Sequence, residues 1–83
     1  MKLTKEITSL QKVIESLREK SDNLEEKIEA REDIFNDRSE KWQESEKGEE
    51  HEEKTQELQE KFDELDSIIM ELESQIESLE GLF

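Results

Sequence analysis

Between Leu58 and Phe83 the apolar residues fall at Leu58, Phe62, Leu65, Ile69, Leu72, Ile76, Leu79 and Phe83. The steps alternate four and three, which is the a/d seam of a coiled-coil helix. The first half carries the same alternation: Leu3, Ile7, Leu10, Ile14, Leu17, Ser21, Leu24, Ile28, Arg31, Phe35, Arg38, Trp42. With Ile7 at a, isoleucine recurs at a and leucine dominates d. Polar residues interrupt the seam at Ser21, Arg31, Arg38, His51 and Thr55. A polar a or d residue costs stability and holds register. The pattern predicts helix one over about residues 3–42 and helix two over about 50–81, together making one domain spanning 1–83.

Between the halves the phase slips by one residue, beside Gly48, the only internal glycine apart from Gly81 near the end. Ser45 can cap a new helix there, with Glu46, Glu49 and Glu50 near its positive dipole end. These signals predict a turn within residues 43–49. A single unbroken rod is the alternative, because a one-residue slip also marks a locally over-wound coiled coil. The expected fold is therefore all-α, an antiparallel helical hairpin forming a two-helix coiled coil; the alternative is a long parallel coiled-coil dimer.

For the hairpin, side-chain shape favours a register with Ile14 on Leu79, Leu17 on Ile76, Leu24 on Ile69 and Phe35 on Leu58. It leaves Leu3 and Ile7 overhanging the far end. The register shifted by one heptad sets Lys27 against Lys61 and Val13 beside Gln75, which is less favourable. In either register apolar residues also occupy g: Val13, Ile34, Ile68 and Leu82. An a/d/g face is wider than a two-stranded seam needs. These four positions predict self-association, with two hairpins forming a four-helix bundle.

Composition narrows the function. Only 29% of the 83 residues are hydrophobic and 46% are charged, so a thick core is out of reach. Proline and cysteine are absent, which suits long helices and excludes disulfides and thiolate metal sites. No apolar run reaches signal-peptide or membrane-span length, so a cytoplasmic location is expected. The net charge of −14 argues against direct nucleic-acid or anionic-membrane binding and for a partner with a basic surface.

The acids concentrate on helix two at b, c and e: Asp63, Glu64, Asp66, Glu71, Glu73, Glu77 and Glu80, with no basic residue after Lys61. A solvated helix usually interleaves signs. This flank is the candidate partner-binding surface, and Trp42, the sole tryptophan, is a candidate hot spot. A hairpin of net charge −14 and about 60 Å carries one charge per roughly 4 Å, and a side-by-side dimer one per roughly 2 Å, near the 1.7 Å of duplex DNA.

No enzymatic constellation is present. His51 is the only histidine, and Gly48 stands where a Glu-x-x-His ligand pair needs its acid. Calcium-loop and phosphate-loop patterns are missing. The chain is expected to be non-enzymatic, with no catalytic, metal-binding or cofactor-binding residues and no cofactor.

The stretch RSEKWQESEKGEEHEEKT, Arg38 to Thr55, followed by an acidic amphipathic helix, resembles small acidic helical proteins carried by phages and prophages. The likeness covers roughly the C-terminal half. It implies a helical hairpin and a mobile-element origin, hence a host cytoplasm, and supplies no activity. Together these readings predict an acidic binding protein of phage type, an inhibitor or DNA mimic engaging a host nucleic-acid-binding or defence protein. The alternative is a structural coiled-coil scaffold or assembly spacer.

Overall fold

The structure, a computed structural model, describes residues 2–82. Those residues are all-helical: α1 Thr4–Asp37, α2 Glu40–Gln43 and α3 Glu46–Gly81. Glu, Lys, Gln and Leu fill the exposed positions of the two long helices, and all are good helix formers. The chain measures 65 × 15 × 12 Å. An unbroken 83-residue helix would be about 120 Å long.

The long helices lie along one another, and their contacts descend α3 as they climb α1. Gln11 reaches Glu80, Arg18 reaches Glu73 and Asp66, and Arg31 reaches Thr55 and the His51 carbonyl. Ile7, Ile14, Ile69 and Ile76 form the buried core of the open end, with Leu3, Leu17 and Leu79 packed against it. Ile28, 2% exposed, is the most deeply buried side chain of the other half.

These contacts correct the sequence-based register by one heptad. Arg31 donates to the Thr55 hydroxyl at 3.1 Å, and the Phe35 ring stacks on His51 at 6.2 Å, one heptad before Leu58. Val13 and Gln75 line one groove, the neighbourhood that side-chain shape alone disfavours. Two physical terms outweigh that preference. Arg18 reaches Asp66 as well as Glu73, and Ile7 becomes a core residue, 8% exposed, instead of an overhang. Phe83, the final seam position, lies outside the described residues.

The turn also differs from expectation. The heptad pattern carries helix one to about residue 42, but α1 stops at Asp37, where Arg38 and Ser39 turn extended. Helix two was placed from about residue 50, but α3 starts at Glu46. The 43–49 turn is thus replaced by residues 38–45, with α2 inside them. Side chains satisfy the freed backbone groups. Gln43 Nε2 donates to the Phe35 and Arg38 carbonyls, both at 3.0 Å, and the Ser39 hydroxyl accepts from Trp42 N–H. Ser45 caps α3 as its position in the sequence suggests: its hydroxyl accepts from Gly48 N–H at 3.2 Å and donates to the Trp42 carbonyl. Glu46 and Glu49 occupy the first turn of α3, favourable against the helix dipole.

Gly48 is a buried helical residue, not a breaker. A Cβ there would overlap the Trp42 carbonyl oxygen and lie 2.6 Å from that of Gln43. The absent side chain lets α2 press on the start of α3.

Candidate functional site

The heptad positions divide the helical pair into two long faces. On one, the e positions of α1 and α3 meet. Arg18 sits between Glu73 and Asp66, 2.9 Å from each, and its Nη2 makes a second bond to Glu73 at 3.0 Å. Gln11 donates to Glu80 at 2.7 Å. These hydrogen bonds hold the Glu73 carboxyl below its ordinary value, partly opposed by desolvation, and raise the Arg18 guanidinium above its own.

A carboxyl with a depressed folded pKa stabilises the fold above its unfolded value and loses that contribution as pH falls through the folded one. Glu73→Gln is therefore expected to melt below the parent at pH 7, with the gap closing progressively below about pH 4.5. Thermal melts of both proteins across that range check this; a gap that stays constant into acid contradicts it.

On the opposite face the d and g positions meet, and here the apolar seam stays open. Leu10, Val13 and Leu17 of α1 and Leu72 and Leu79 of α3 line a groove floored by Ile14 and Ile76. All four g residues expected to drive self-association are exposed: Val13 56%, Ile34 54%, Ile68 56% and Leu82 74%. Leu10, Leu65 and Leu72 are also exposed, at 42%, 47% and 42%. The isoleucines at a behave oppositely, since Ile7, Ile14, Ile28, Ile69 and Ile76 are all buried.

The seven acids of the expected flank point in three directions. Asp66, Glu73 and Glu80 lie on the e face, bonded to α1. Asp63 and Glu77, at b, are exposed on the outside, and Asp63 accepts from Gln59 at 3.1 Å. Glu64 and Glu71, at c, rim the apolar face, where Glu64 pairs with Lys61 at 3.2 Å and Glu71 accepts from Gln75. Sequence periodicity separated b, c and e but not their directions, which depend on where α1 lies.

Trp42 is half-buried at the turn. It packs edge-on to Phe35 at 6.0 Å and to His51 at 5.8 Å, and Arg38 stacks over it at 4.3 Å. Phe35, Trp42 and His51 together close the turn end, and the packing of Trp42 on His51 is what its place beside the turn suggests. The His51 carbonyl accepts from Arg31 and from the Thr55 hydroxyl, while its buried Nδ1 has no partner among the described residues.

Among the described residues no cluster of three or more His, Cys, Asp or Glu could hold a metal ion, and no helix is long and apolar enough to cross a membrane. Compared with known protein families, curated proteins and solved structures, the chain matches none.

Proposed function

We propose that the chain is a helical hairpin, a two-helix coiled coil, that pairs through its d/g face into a four-helix bundle. In this reading it works as a non-enzymatic binding protein whose acidic outer surface engages a basic protein surface. The observation that carries it is segregation. Seven of the eight exposed large apolar residues, all but Met70 at b, share the d/g face with Lys20, Lys27, Lys47, Lys54 and Lys61, five of the nine lysines. Pairing on that face removes apolar surface and cations together, and what remains outside is overwhelmingly carboxylate.

The partner class follows from charge density. Two chains of net charge −14 along 65 Å present one charge per roughly 2 Å, close to that of duplex DNA. A basic surface built for nucleic acid matches that spacing, so the protein is expected to act as an inhibitor or DNA mimic. It should displace duplex DNA from a basic DNA-binding protein near 50 mM salt and lose this ability near 500 mM, where screening is short-ranged. Failure to compete at low salt sinks the mimic reading.

A scaffold or spacer role is the second reading. It is favoured by the internal use of Asp66 and Glu73 by Arg18, which withdraws them from any partner. The two readings share the pairing step. Val13→Glu with Ile68→Glu should leave helix content intact and weaken self-association by about 100-fold or more, since two carboxylates would be desolvated at the interface. Sedimentation across a dilution series measures this, and an unchanged association constant refutes the d/g interface.

A further inference from the structure

We infer that the occupant of the d/g face is a second copy aligned turn beside turn, so that each α1 packs on the partner's α3. This rests on the self-association proposed above and adds its geometry. The face is asymmetric along its length. Its open end is wholly apolar, with Leu10, Val13, Leu72 and Leu82, while toward the turn Lys20, Lys27 and Lys61 alternate with Leu65, Ile68 and Ile34. It is also asymmetric across its width. The outer c rim of α1 is small and neutral for most of its length, Ser9, Ser16, Asn23 and Ala30, whereas that of α3 is Glu50, Glu57, Glu64 and Glu71.

Two symmetric pairings are open to such a face. With the turns at opposite ends, α1 meets its own copy and α3 meets its own. Lys20 then approaches the partner's Lys20 near the dyad, and Glu64 the partner's Glu64. The apolar open end would cover the lysine-bearing half. With the turns side by side, α1 lies on the partner's α3 in the same antiparallel sense as within the chain. Lys20 then faces the stretch between Glu64 and Glu71 of the partner subunit, and Lys27 faces Glu57 of the partner subunit and its neighbours. The apolar ends coincide.

Two further observations fit. Lys54 and Lys61 already pair with Glu57 and Glu64 on α3, whereas Lys20 and Lys27 form no ion pair among the described residues. The small c residues of α1 leave room for the glutamate rim to approach. A 65 × 15 Å face offers on the order of 1,000 Å² per chain, enough for the ~800 Å² per partner of a stable pair.

The chain has no cysteine, so Glu44→Cys, exposed at the turn, places one spin label per copy. Aligned pairing gives a label separation of about 20–35 Å, the bundle width at helix spacings near 10 Å plus the label arms. Opposed pairing gives a separation near the 65 Å length of the chain and overturns the inference while leaving self-association standing. Absence of any dimer overturns both. As a second readout, Lys20→Glu with Lys27→Glu should weaken the homodimer about tenfold, and mixing it with Glu64→Lys, Glu71→Lys should restore pairing between the two variants. No preference for the mixed pair contradicts the facing assigned here.

Discussion

Gly48→Ala is expected to destabilise this protein by about 2–3 kcal/mol, although Gly→Ala inside an ordinary helix stabilises by up to about 1 kcal/mol. The residue is helical and no glycine has a positive φ, so backbone freedom is not what the position needs. It needs the missing Cβ. An added methyl would overlap the Trp42 carbonyl oxygen and crowd the Gln43 carbonyl, both backbone groups that cannot rotate away. Relief requires α2 to lift from the start of α3. That would disturb the Ser45 cap and the packing of Trp42 on His51.

Gly81 is the control, since a Cβ there meets nothing within 4 Å. Gly81→Ala should be neutral or stabilising by about 0.5 kcal/mol. Urea unfolding of the two variants beside the parent checks the contrast. Equal and small effects would mean that the close approach at Gly48 is not maintained in solution.

Ile28→Ala is expected to cost about 3 kcal/mol, within the 2–5 kcal/mol span of buried Ile→Ala changes. At 2% exposed, Ile28 is the most enclosed large side chain, and the elongated pair has little material with which to fill a cavity. Native stabilities lie near 5–15 kcal/mol, so one such change removes a large share. Leu10→Ala deletes a similar volume from a side chain 42% exposed. Within one chain its cost should be only about 1 kcal/mol. In the paired form Leu10 is covered, and its cost should grow with protein concentration. Melting both variants at several concentrations separates the single-chain core from the pairing face.

Much of the architecture was legible in the alternation of apolar residues. The all-helical character, the two long elements and the capping role of Ser45 all follow from local rules that the structure obeys. The turn boundaries did not follow, because glycine was weighed as a breaker while its role at residue 48 is to admit backbone from elsewhere in the chain. The register was missed by one heptad for a related reason. Lys27 against Lys61 and Val13 beside Gln75 both count against the observed register, but burial of Ile7 and contacts of the two arginines accompany it. Arg18 bridges two carboxylates, and Arg31 finds Thr55 and the His51 carbonyl.

Of the candidate site, heptad position was legible in the sequence and direction was not. Val13, Ile34, Ile68 and Leu82 stand out as g-position apolar residues, and all four are exposed. The acidic flank was treated as one surface, because heptad letters do not say which acids face α1. From the sequence Lys20 and Lys27 suit g-to-e′ pairs with Glu25 and Glu32 of a parallel copy; the structure sets them instead on the face that α1 shares with α3.

In the proposed assembly a second copy covers the apolar d/g face. Small-angle scattering with light-scattering mass on the purified protein tests it most directly. Paired hairpins give a particle of twice the 9.9 kDa chain mass, about 70 Å in its longest dimension and little longer than the 65 Å chain. A 9.9 kDa monomer that persists at high concentration would contradict the pairing, and a dimer on the order of 120 Å long would contradict the folded-back chain itself.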